Sequence, residues 1–184
     1  HETFEQRGIS HFIEHMLFKG TKSRSSRDIS EQMDMLGGEL NAYTAKEYTR
    51  YYAQTLAENA VSALDIICDM LQNPLLDADD MRRESHVILD EISMYEDSGE
   101  NVAHETLCAA VWPHSPLGRP ICGVKDTVSA FKPEDLRGYM DMRYTPDKMI
   151  VVVAGDYDRD GIHRLVGDTL GRLERGRDTV PTED

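Results

Sequence analysis

The 184 residues, 40% hydrophobic and 29% charged, suffice for one compact core, and no apolar run approaches the roughly 20 residues that a membrane-spanning helix needs. Thirty-four acidic against twenty basic side chains give a formal charge of −14, which repels nucleic acid and favours cationic or polybasic partners. The odd set Cys68, Cys108 and Cys122 has no C-x-x-C spacing, so it indicates neither a disulfide framework nor a thiolate zinc site and suits a reducing compartment.

Gly8 to Phe18 reads as a helix ended by the Lys19-Gly20-Thr21 turn, and an amphipathic helix follows from about Ser26 to Met35, stopped by Gly37-Gly38. Glu39 to Ala45 and Tyr48 to Leu56 are rich in Tyr and Thr and are separated by Lys46-Glu47, the pattern of an antiparallel hairpin with its first strand at a sheet edge. Leu64, Ile67, Cys68 and Leu71 recur at helical spacing between Glu58 and Gln72, and Asn73-Pro74 ends that segment. Asp77, Asp79 and Asp80 are N-terminal signals for a long helix reaching about Asp97. A further helix spans roughly Glu100 to Val111, before an irregular stretch from Trp112 to Gly123. Pro133-Glu134-Asp135 opens a helix to Tyr144, Met149 to Gly155 reads as a buried strand, and Asp158 to Leu173 closes the domain as a helix.

Helices mixed with hairpin strands, without strict alternation, predict an α+β fold: a two-layer domain with a largely antiparallel β-sheet packed against helices. Residues 1–175 are expected to form this domain, and the polar residues 176–184 to begin a linker toward a further one. The polar opening without an initiator Met reads as the inside of a longer protein.

His11-Phe12-Ile13-Glu14-His15 sets two imidazoles at i and i+4, about 40° apart around a helix, so both reach one ion from one face. Such pairs also arise by chance on exposed helices. Here Phe12, Ile13, Met16, Leu17 and Phe18 surround the histidines, and unpaired imidazoles in so apolar a run would be costly. Zinc suits imidazole nitrogen, and a catalytic site needs a third protein ligand from elsewhere. Glu14, next to His15, is placed to act as general base toward the attacking water. His86 is a rival ligand from the long helix. His104, His114 and His163 have no spacing partner.

The run from His11 through His15 to Lys19-Gly20-Thr21 resembles the signature segment of the insulinase and mitochondrial-processing-peptidase family, whose zinc motif is an inverted H-x-x-E-H. That family takes its third zinc ligand from a Glu on a separate helix, and the spacing falls here on Glu91, 76 residues after His15. The context Arg83-Glu84-Ser85-His86-Val87-Ile88-Leu89-Asp90-Glu91-Ile92 resembles the family's second motif. It implies a supporting catalytic role for Glu84, which lies nearly two turns before Glu91 on the same face, whereas His86 turns about 140° away. Resemblance further assigns Asn41, Ala42 and Tyr43 to a strand that receives peptide by edge pairing, and Phe18 to a substrate pocket.

The resemblance implies a zinc-dependent endopeptidase of bacterial processing-protease type, acting on extended peptide or presequence-like substrates with Zn2+ as cofactor. Family members open with β-strands ahead of the segment matching Glu2 to Gly8, so the sheet is expected to lack one or two strands. They enclose substrate between two halves, the second supplying an Arg and a Tyr. A second half or partner subunit, including a second copy, is therefore expected, in the cytoplasm or, for a eukaryotic protein, the mitochondrial matrix. A non-catalytic peptide-binding or assembly subunit is the alternative. A purely structural zinc site is a weaker reading, because it needs no base and usually uses Cys.

Overall fold

The computed structural model describes residues 2–174. Its first helix, α1 (Ile9–Leu17), buries Ile9, Phe12, Ile13, Met16 and Leu17, so the remaining face presents Ser10, His11, Glu14 and His15. Each fully buried large apolar side chain contributes about 1.5–3 kcal/mol, which makes α1 the centre of the core rather than a surface helix. Gly8 starts it in the left-handed region, φ 88°, and the Glu2 carboxylate accepts from the backbone N–H of Gly8 and Ser10 at 2.9 and 3.0 Å.

Helix α2 (Ser26–Met35) begins at a capping box in which Ser25 and Asp28 each accept the other's backbone N–H. The hairpin follows as β1 (Glu39–Thr44) and β2 (Thr49–Gln54), antiparallel, with Ala42 opposite Tyr51 and Thr44 opposite Thr49. Leu40, Ala42 and Thr44 alternate with exposed Glu39, Asn41 and Tyr43, so one face of β1 lies toward α1. Helix α3 (Ala60–Gln72) supports β2 and α2 from below, burying Ala63, Ile66 and Met70.

The long helix α4 (Ala78–Asp97) starts where Asp77 accepts from the N–H groups of Asp79 and Asp80, and it packs on α1 through Ile88 and Ile92. After it come α5 (Gly99–Val111), α6 (Lys125–Ala130), α7 (Pro133–Arg143) and α8 (Arg159–Asp168). The fold is α+β, with an antiparallel sheet covered by helices; among the described residues that sheet has two strands.

A polar knot pins the turn after α1. Asp69 of α3 is buried and accepts from Thr21, Ser23 and Arg24 at 2.7 Å each, and from Asn73 at 2.9 Å. Burial pushes its carboxyl upward, but the four donors outweigh that and hold it down at about 2.

Two expectations are corrected, and one element is added. Met149 to Gly155 forms no strand, and Ile150 and Val152 are 90% and 81% exposed: among the described residues no strand lies alongside to pair its backbone. The closing helix stops at Asp168, because Thr169 leaves helical geometry (φ −109°, ψ −97°), and a 3-10 turn, Leu170–Arg172, follows. Helix α6, six residues between two extended stretches, is too short for periodicity to reveal. The expected linker lies outside the described residues.

Candidate metal centre

His11 and His15 project from the unburied face of α1, ring centroids 4.6 Å apart, and meet Glu91 of α4. His11 Nε2 and His15 Nε2 each stand 3.6 Å from the same atom, Glu91 Oε2. Glu84, buried two turns earlier on α4, accepts from His15 Nδ1 at 3.1 Å and from Lys19 Nζ at 2.6 Å. A donor on Nδ1 leaves Nε2 as the lone-pair nitrogen, so Glu84 aims the acceptor atom of His15 at the point where Glu91 waits. Burial, then the neighbouring His15, pulls His11 down to about 4, so its imidazole is neutral and its lone pair free. Its Nδ1 is buried, with no hydrogen-bond partner among the described residues.

Glu14, also on α1, accepts from the Thr44 hydroxyl at 2.5 Å. Burial raises its carboxyl above the ordinary range, and the Thr44 hydrogen bond opposes part of that rise. The register of the hairpin thus fixes the carboxylate: a one-residue slip would turn Thr44 to the other face. Behind this contact the hydroxyls of Tyr51 and Tyr144 meet at 3.2 Å.

The residues expected to meet substrate are arranged differently from one another. Phe18 follows α1 and lines a cleft of about 290 Å³ with Ile29, Met33 and Leu40. Asn41 is exposed on β1, and its Oδ1 accepts the N–H of Ala42 at 2.8 Å. Tyr43 is exposed and its hydroxyl bonds that of Tyr48 at 2.9 Å. His86 donates through Nδ1 to the Arg82 carbonyl at 2.7 Å on the exposed side of α4, clear of the centre.

Two residues at the site were missed by sequence reasoning. Thr44 stood in the strand segment but had no role, because its contact with Glu14 depends on the packing of the hairpin on α1. Cys122 lies in the stretch read as irregular loop, and its thiol falls with donor atoms of His11 and Glu91 in a group whose members are all within 4.8 Å of one another. Burial, then the carboxylates of Glu91, Glu105 and Glu14, pushes that thiol up to about 12.

An H-x-x-E-H helix, a carboxylate helix packed across it and a hairpin laid over the first define a domain of the metallopeptidase class. The chain belongs to the insulinase family: the family described as Insulinase (Peptidase family M16) matches residues 1–125, and Peptidase M16 inactive domain matches residues 130–184. The uncharacterized zinc protease YmxG of Bacillus subtilis is 46% identical over 156 residues, covering 85% of this chain and 38% of that protein. The mitochondrial-processing peptidase subunit beta of Blastocladiella emersonii is 37% identical over 175 residues, covering 95% of this chain and 38% of its own. A crystal structure of a protease from Helicobacter pylori superposes with TM-score 0.88 at 22% identity, covering 97% of this chain and 44% of that one, which establishes the shared fold. The chain spans less than half the length of these relatives. Among the described residues no helix is long and apolar enough to cross a membrane.

Proposed function

We propose that this chain carries the zinc-binding, catalytic part of an endopeptidase that cleaves extended peptides or presequence-like segments. The observation that carries the reading is the convergence of two imidazole Nε2 atoms on one Glu91 oxygen, with His15 held from behind by Glu84. The donor set fits zinc. Ligand atoms at about 2.0–2.1 Å around a tetrahedral ion lie roughly 3.4 Å apart, close to the 3.6 Å seen here, and His11 is already neutral.

Bound there, zinc supplies Lewis acidity, acidifying water and polarising a carbonyl. Glu14 accepts the proton of the attacking water and passes it to the leaving amine, with Thr44 fixing its carboxylate. Strand β1 offers its open edge to the substrate backbone: a peptide carbonyl replaces Asn41 Oδ1 on the Ala42 N–H, and the Phe18 cleft takes a side chain. The rest of the enclosure comes from a second half or a partner subunit.

Glu14→Gln in the full-length protein tests this. It should keep one zinc per site and the fold while hydrolysis of a peptide library falls by about 10²–10⁴, since an amide cannot accept the proton. Near wild-type cleavage by that variant would remove Glu14 as the base.

A further inference from the structure

Resting on the reading of Glu14 as the general base, we infer that Thr49, Tyr144 and Tyr51 are positioning residues for it, joined through Thr44 in one chain of hydroxyls that ends on the Glu14 carboxylate. The Thr44 hydroxyl meets Glu14 Oε2 at 2.5 Å and the Thr49 hydroxyl at 3.3 Å. The Thr49 hydroxyl is in turn a hydrogen-bond partner of the Tyr144 phenol, which meets the Tyr51 hydroxyl at 3.2 Å. Four hydroxyls thus lead from the core to the carboxylate.

The direction of the chain follows from proton counting. A carboxylate only accepts, and each hydroxyl has one proton to give. Thr44 gives its proton to Glu14, so at its other contact it accepts and Thr49 donates. Thr49 then accepts from Tyr144, and Tyr144 from Tyr51. Burial raises both phenols above the ordinary tyrosine range, and the negative charge of Glu14 adds to the rise at each, so both stay protonated as donors. Aligned donors polarise one another, and the outer members therefore strengthen the short bond on Glu14. The backbone sets this line. Thr44 and Thr49 face each other in the hairpin register, and Tyr51 lies two residues beyond Thr49 on the same face of β2. Tyr144 ends α7, its N–H held by the Met140 carbonyl at 2.8 Å. Tyr51 and Tyr144 both pack against the core, so the carboxylate is anchored to the interior rather than to the exposed tip of the hairpin. No proton travels along the chain. With Oε2 held by Thr44, Oε1 takes the proton of the attacking water and hands it to the leaving amine, while every hydroxyl keeps its own.

Kinetics of the zinc-loaded full-length protein on a peptide from the library read the chain. Thr49→Val keeps the shape and removes the hydroxyl; it should lower kcat about five- to tenfold with KM and zinc content unchanged. Thr49→Ser, which returns the hydroxyl, should recover most of that loss. Tyr144→Phe should lower kcat by about two- to fivefold, again without a change in KM. Because Thr49 acts through Thr44, the double variant Thr44→Val/Thr49→Val should be no slower than Thr44→Val alone, a non-additivity that simple loss of packing does not give. Wild-type kcat in Thr49→Val or Tyr144→Phe, an equal loss in Thr49→Ser and Thr49→Val, or losses that multiply in the double variant would overturn the chain and leave Glu14 standing as the base. No cleavage of any library peptide by the unaltered zinc-loaded protein would overturn the endopeptidase reading and this inference with it.

Discussion

Single side chains decide how sharply the donor atoms are aimed, and Glu84 is the clearest case. It touches His15 and Lys19 rather than a reacting group, so it is a positioning residue for His15. Glu84→Gln should lower zinc affinity about 10- to 100-fold in chelator competition with the fold unchanged; unaltered affinity would reduce Glu84 to an ion-pair partner of Lys19. Asp69 governs stability instead. Its folded carboxyl sits at about 2 against an ordinary 3.8, so the ionised form is favoured by folding. That stabilisation, on the order of 2–3 kcal/mol, is complete above about pH 4 and is lost as pH falls through about 2. Urea unfolding across pH 2 to 5 should show it, and Asp69→Asn should flatten that acid limb; an unchanged limb would remove the Asp69 knot as its source. The residues legible in the sequence, His11, Glu14, His15, Glu84 and Glu91, are those whose relations are helical spacings or sit in long motifs. Thr44 and Cys122 were not legible, because each reaches the site through packing between segments far apart in the chain.

Among elements, the helices with strong end signals were readable to within a residue or two: Asp77 before α4, Gly37-Gly38 after α2, Pro133 opening α7. The segment from Met149 to Gly155 misled because an apolar run states only that burial is favourable. A strand also needs a neighbour, and none of the described residues supplies one. The junction between α1 and the Cys122 loop rests on Gly8, and this can be isolated from general helix propensity. Gly8→Ala meets both a left-handed backbone and the Cys122 carbonyl, so it should cost about 1–3 kcal/mol in urea unfolding. Gly138→Ala, inside α7 with open space where its Cβ would go, should be neutral or stabilise by up to about 1 kcal/mol. Equal effects at the two positions would show that the close approach at Gly8 is tolerant.

At the scale of the whole molecule, the residues proposed for metal and base lie between His11 and Glu91, while among the described residues only β1 and the Phe18 cleft flank the side proposed for substrate. Positioning accounts for about 7–11 kcal/mol of a barrier, so an incomplete cradle harms turnover far more than metal affinity. The isolated chain should bind zinc with near full-length affinity yet cleave a peptide library poorly, and adding the remaining part of its protein or its partner subunit should restore cleavage. Full activity of the chain alone would show that no second half is required. The crossing of α1 and α4 also sets a clock during synthesis. His11 and His15 leave the ribosome 80 and 76 residues ahead of Glu91, an interval of roughly 4–16 s at ordinary elongation rates. Through that interval the nascent chain displays two imidazoles without their carboxylate, so capture of the proposed ion would be a late event of biogenesis that follows the meeting of the two helices.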